Sequence, residues 1–291
     1  MCSSGKIESM TTKASKKDSP DQKYEIRPTQ SHELLKELHI LTRDGKLNQD
    51  TRRKLKQVYH LVQFIEPLLE EVLGRKEHLT LVDHGAGKSY LGFILNDLFC
   101  KLQEKPSTII GIELREELVK KSQDLASKLE FNNMQFLHLS VEESLSSNLI
   151  PHEVDVVTAL HACNTATDDA IRFALSRKAK HIVLVPCCQA EVAATFRKNK
   201  ATSSKNELSE IWRHPIHARE FGSHITNVLR CLQLESHGYD LTVTELVGWE
   251  HSMKNELIIA TQKNLDGKKA SERKTQLLHD VGLELLADRF T

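Results

Sequence analysis

No apolar run in this sequence approaches the ~18–20 residues that a membrane-spanning helix requires. The first 23 residues, rich in Ser, Thr and Lys, contain no hydrophobic stretch of the kind that forms a secretory signal. No membrane partner is expected, and the expected location is the cytoplasm. The six cysteines (Cys2, Cys100, Cys163, Cys187, Cys188 and Cys231) show no C-x-x-C spacing. A disulfide framework is therefore not expected, and reduced thiols are. An excess of one charge is also missing: 40 Lys+Arg stand against 40 Asp+Glu. A strongly basic nucleic-acid footprint over the whole chain is excluded, although local basic patches are not.

Hydrophobic residues make up 39% and charged residues 27% of the 291 residues. That is enough for a core of one domain with helical additions. Residues 1–30 read as a disordered tail, low in large apolar side chains. Residues 31–77 read as an N-terminal helical segment. Ser31 caps a short helix over 31–41. A longer helix over 51–73 carries Leu55, Val58, Tyr59, Val62, Ile65, Leu69 and Val72 on one face, with Pro67 expected to kink or break it and Gly74 to end it.

From residue 78 to 262, short apolar runs alternate with helical patterns. Strands are predicted at 79–82, 108–112, 134–137, 154–160 and 181–185. Helices are predicted at 91–102, 116–129, 167–177 and from 191. This alternation predicts a parallel sheet with helices on both faces. Residues 197–205 read as a basic loop and 221–237 as a helix with Ile225, Val228, Leu229 and Leu232 on its apolar face. Strands at 241–247 and 257–261 flank a turn at 249–254. Residues 263–274 read as a charged linker and 276–290 as a final helix.

The chemistry concentrates where the first strand ends, in Asp83-His84-Gly85-Ala86-Gly87-Lys88-Ser89-Tyr90. Glycines after a buried strand let the backbone approach a ligand, and the next helix offers free N–H groups. A P-loop needs G-x-x-x-x-G-K-[ST], and its first glycine would fall on Val82. A dinucleotide turn needs a small third residue where Tyr90 stands. An acid before the glycines also suits an ammonium better than a pyrophosphate. Asp83 therefore points to the methionine end of S-adenosylmethionine. The plain alternative, a structural strand–helix turn, is weakened by the second strand. That strand ends in Glu113, 30 residues on, with Leu114 beside it, where a carboxylate can accept both ribose hydroxyls. Ser140 and Val141 follow the third strand, where adenine contacts are expected.

The segments VDHGAGKSYL, GIE, LHACNTATDDAI, VPCCQ and MKNELIIA resemble methyltransferase domain family 32, across roughly 51–262. That group is similar to eukaryotic tRNA 2′-O-methyltransferases of the acceptor stem and to the C-terminal part of a glutathione S-transferase-like protein. The resemblance implies a Rossmann-like, seven-stranded α/β sheet with the last strand antiparallel. It implies S-adenosylmethionine held at Asp83, Gly85, Gly87 and Glu113. Ser140 departs from the acid common at that position. Ala86, Leu114, Val141 and His161 complete the candidate cofactor set.

Ligands of open α/β sheets lie beyond the carboxyl ends of the strands. His161 and Cys163 follow the fourth strand and Cys187 the fifth, so these three are the candidate catalytic residues. His161 could take a proton from a hydroxyl or amine acceptor; a hydrogen-bonded structural imidazole is the competing reading. Zinc is not expected, because adjacent cysteines rarely bind one tetrahedral ion. A thiolate attacking a pyrimidine lacks the acid-Pro-Cys pattern, and small packed thiols are the plainer reading. A Lys-Asp-Lys-Glu mechanism is set aside, since His161 and Cys187 stand where charged residues would be needed. The leading acceptor is RNA, with basic residues at 197–205, 263–274 and Arg213, His214, His217 and Arg219. Protein or small-molecule methylation, and cofactor sensing without catalysis, are the alternatives.

Overall fold

The computed structural model describes residues 26–160, 165–186, 190–199, 207–246 and 256–291. Residues 1–25 of the disordered tail expected over 1–30, and the turn expected at 249–254, lie outside them.

Seven strands form one sheet in the order β3-β2-β1-β4-β5-β7-β6. They are β1 (Leu79–His84), β2 (Ser107–Glu113), β3 (Met134–His138), β4 (Val156–Leu160), β5 (His181–Val185), β6 (Tyr239–Glu245) and β7 (Glu256–Gln262). β1 to β5 are parallel; β7 runs antiparallel between β5 and β6. All six β1 residues are buried, as a strand covered on both faces requires. Successive strands run outward from β1 in one direction through β2 and β3, then in the other through β4 and β5. That reversal opens a crevice beyond the tips of β1 and β4.

Helices cover both faces. α3 (Tyr90–Leu98) and α4 (Glu116–Lys128) pack on one side with α2 (Gln49–Leu73). α6 (Ala166–Ser176) packs on the other, after α5 (Val141–Ser146). A third apolar cluster joins α7 (Glu191–Asn199), α8 (Pro215–Ser236) and α9 (Lys268–Asp280), with the rings of Phe196 and Trp212 stacked at 4.7 Å.

The N-terminal helices are tied to the sheet by named bonds. Ser31 caps α1 (His32–Glu37), its Oγ accepting from the Leu34 N–H at 3.1 Å. Both oxygens of buried Asp97, on α3, accept the Ser31 N–H at 3.1 Å. α2 begins with a reciprocal cap between Asn48 and Thr51. It runs through Pro67 without a break: the proline removes one N–H, but fully buried Ile65 and Leu69 hold the helix to the core on either side.

Four other expectations are corrected. Residues 197–199 end α7 rather than opening a loop. α8 starts six residues before 221, with Pro215 in its first turn, where a proline costs no hydrogen bond; Val228 is exposed on it. Most of the expected linker belongs to α9. The final helix is split because Gly282 takes φ +69°, which stops α9 before a short 3-10 turn over Glu284–Phe290.

Arg230 of α8 is buried against Asp168 of α6, with two bonds at 2.6 and 2.9 Å, and it also donates to Asn227 at 3.1 Å. Asp168→Ala strands that cation in the core. The expected loss is about 3–5 kcal/mol in urea unfolding, while the apolar pair Asp168→Leu with Arg230→Met recovers most of it.

Candidate functional site

The end of β1 builds the centre of the crevice. Asp83 is 3% exposed and pairs in register with Gly111 of β2 and Thr158 of β4. Its carboxylate accepts the Thr158 hydroxyl at 2.8 Å and the Gly92 N–H from the first turn of α3. Burial pushes its pKa up to about 7, against the lowering effect of those two bonds. Among the described residues, no cation bonds the Asp83 carboxylate.

The chain then turns sharply. Gly85 and Gly87 have φ of +68° and +59°. A Cβ on Gly85 would meet nothing within 4 Å, so the turn faces open space. The Ala86 N–H donates to the Ile112 carbonyl at 2.9 Å, which stitches the turn to β2. Ser89 also has positive φ, +49°, just before α3. His84 points away from the crevice. It packs on Phe173 with ring centres 5.0 Å apart, and burial holds its pKa down to about 4, so it is neutral.

Glu113 ends β2, two residues beyond the partner of Asp83. Strand geometry then separates the two Cα atoms by roughly 8 Å. The Glu113 carboxylate accepts the Gly87 N–H at 2.8 Å, the Arg115 N–H at 3.1 Å and the Arg115 Nε at 2.8 Å. Burial pushes its pKa up, but the bonds from Arg115 and Gly87 outweigh that and hold it below the usual carboxylate range. Leu114 is exposed beside it. Ser140 spends its hydroxyl capping α5, in a reciprocal cap with Glu143, and Val141 opens that helix. His161, Cys163 and Cys187 lie outside the described residues.

A cavity of about 600 Å³ opens beside the turn. Asp83, Gly85, Ala86, Gly87 and Arg115 line it, with Leu160 at the tip of β4 and Leu246 just after β6. Glu113, Leu114, Ser140 and Val141 are not in its wall. Sequence reasoning missed a further set: His39, Lys54, Gln57 and Leu61, from the helices before the sheet, and Tyr90 from α3. The signal for three of them was present, since 54, 57 and 61 fall on one helical face beside the buried stripe.

A methyltransferase-domain family model matches residues 53–195. Among curated proteins, the chain is similar to a glutathione S-transferase C-terminal domain-containing protein from Bos taurus, 24% identical over 239 residues (76% of this chain, 35% of that protein). A homologue from Drosophila pseudoobscura pseudoobscura is 24% identical over 201 residues (62% and 32%). The chain thus spans about a third of the length of these relatives. Among solved structures, it is similar to an rRNA methylase from Streptococcus thermophilus (11% identity, 69% of this chain and 95% of that one, TM-score 0.42). It is also similar to the magnesium protoporphyrin IX methyltransferase of Synechocystis with bound SAH (13%, 79%, 93%, TM-score 0.46). With an acid-tipped β1, a glycine turn and a second acid on β2 inside the stretch that the family model matches, residues 53–195 are a methyltransferase domain, and S-adenosylmethionine is its methyl donor.

Proposed function

We propose that this chain methylates RNA, with S-adenosylmethionine as donor and tRNA as the first acceptor to test. The observation that carries the cofactor half is the pair of carboxylates on either side of one glycine turn. Asp83 complements the ammonium of the methionine end. Gly85, Ala86 and Gly87 leave the backbone open to close approach. Glu113 accepts the ribose hydroxyls, taking them in exchange for the Arg115 side chain. Leu114, Ser140, Val141 and His161 complete the surroundings of the adenosyl group. The cofactor supplies an activated methyl group. His161 is the residue proposed to take the proton that leaves a hydroxyl or amine acceptor, with Cys163 and Cys187 as the other candidate catalytic residues.

Topology supports the acceptor half. β6 runs parallel to β5, since each is antiparallel to β7. α8 leads into the start of β6, so its own first residues lie at the strand-tip end of the sheet. Arg213, His214, His217 and Arg219 therefore sit at the end where the crevice opens. The other basic run, 263–274, starts at the opposite end, where Lys263 N–H bonds the Gly238 carbonyl just ahead of β6. It does not support RNA at the crevice.

Two outcomes follow. Incubated with methyl-labelled cofactor, the purified chain is expected to label total RNA, in the tRNA fraction, and not total protein. Label in protein alone contradicts the RNA assignment; label in neither, with cofactor binding intact, identifies a sensing module.

The second concerns pH. Asp83 in the cofactor-free chain titrates near 7, above its ordinary value. Cofactor affinity is expected to rise between about pH 6 and 8 as the carboxylate ionises. The sign for stability is opposite: a raised folded pKa gives stability present at low pH and lost as pH climbs through 7. Asp83→Asn is therefore expected to lose cofactor binding in calorimetry. It should also make the cofactor-free chain more stable than the natural one at pH 8, by on the order of a few kcal/mol.

A further inference from the structure

The cavity beside the glycine turn is lopsided. Its floor holds Asp83 and the turn, where the amino-acid end of the cofactor is assigned. The ribose and adenine positions, Glu113, Ser140 and Val141, lie outside its walls. The rest of its wall comes from segments that precede the sheet: His39, just after α1, and Lys54, Gln57 and Leu61 of α2.

This roof is built in rather than draped over. Asp97 grips the start of α1 through Ser31. The Tyr59 hydroxyl donates to the Gln30 side chain, and the Arg27 guanidinium lies 5.2 Å over the Tyr59 ring. Leu55 and Val62 are fully buried beside the lining face of α2. His39 has a left-handed backbone, φ +56°, a conformation that histidine adopts more readily than most residues. The turn around it holds that conformation: the Ile40 and Leu41 N–H groups both donate to the Leu35 carbonyl, at 2.8 and 2.9 Å, and both side chains are buried. Backbone strain of this kind persists where the surroundings enforce it, and it aims a side chain.

Charge gives the occupant its chemistry. Lys54 and Lys88 line the cavity against one carboxylate, Asp83, while the charge of Arg115 is taken up by Glu113, in a chain whose formal charge is zero. A concave wall dominated by one sign of charge concentrates counter-charged ligands. Lysine with neighbouring amide and imidazole donors is a phosphate-binding set.

We propose that the α1–α2 roof is the acceptor-recognition wall of the methyl-transfer site, with His39, Lys54 and Gln57 holding a phosphate-bearing segment of the acceptor RNA opposite Asp83. The assignment rests on the RNA reading above and adds the residues that select the acceptor. Lys54 supplies the charge. Gln57 and His39 supply directed hydrogen bonds. α2 therefore serves substrate selection on one face and the hydrophobic core on the other.

The test compares two ligands on the full chain: a fluorescent single-stranded oligoribonucleotide, followed by anisotropy across a salt series, and S-adenosylhomocysteine, followed by calorimetry. Lys54→Glu is expected to weaken the oligonucleotide about tenfold at low salt and to reduce the salt slope by about one. Its affinity for S-adenosylhomocysteine is expected to stay within about twofold of the natural chain. Lys56→Glu, on the same helix but outside the cavity wall, is expected to change neither. If Lys54→Glu does not fold, the pair His39→Ala with Gln57→Ala makes the same comparison. Equal loss of RNA affinity in the Lys54 and Lys56 variants overturns the proposal. So does a loss confined to S-adenosylhomocysteine, which would make the roof part of the cofactor site. Uridine monophosphate competing as well as the oligonucleotide, nucleotide for nucleotide, would replace RNA by a small phosphate ester. A natural chain that does not bind S-adenosylhomocysteine would instead overturn the cofactor reading, before the roof is tested.

Discussion

The site depends on a carboxylate held out of water. Asp83 is the last-but-one residue of the central strand, at the point where the order of strands reverses. Thr158 and the Gly92 N–H stabilise its charge, but burial outweighs them and moves its titration to about 7. A buried acid in this condition is an unfavourable feature that a cationic ligand relieves. On the proposed reading, the same group that weakens the empty fold draws the ammonium end of the cofactor to the tip of β1. Marginal stability at a binding site is a common counterpart of function.

Glu113 shows the complementary arrangement. Its charge is already satisfied by Arg115 and by the Gly87 N–H. Ligand hydroxyls there must exchange with an existing partner, and only the flexible one, Arg115, can leave cheaply. Its side chain is 60% exposed, so its ion pair with Glu113 is screened and weak. The Gly87 bond belongs to the turn and would hold the carboxylate in place as the guanidinium leaves. In the proposed site one acid contributes attraction and the other orientation. The glycine turn between them sets their spacing.

Much of this was legible in the sequence because it depends on local signals. Period-two and period-3.6 patterns placed all seven strands and most helices to within a few residues, and the acids and glycines stood at their ends. What was not legible depended on distant packing. Pro67 was expected to kink or break α2, yet the helix continues through it, with buried Ile65 and Leu69 holding it on either side. Residues 263–274 looked like a charged linker because their polarity hides a helix that buries only Ala270 and Leu278. Lys54 and Gln57 lie off the apolar stripe read for that helix; only the docking of α2 over the crevice brings them to the cavity.

The account is tested most directly by a crystal structure of the chain grown with S-adenosylhomocysteine. It predicts the ligand amino group on the Asp83 side of the turn, the ribose hydroxyls on Glu113, and Arg115 displaced from that carboxylate. A ligand seated in any other cavity, or a ribose held by a different residue while Arg115 stays on Glu113, would contradict it.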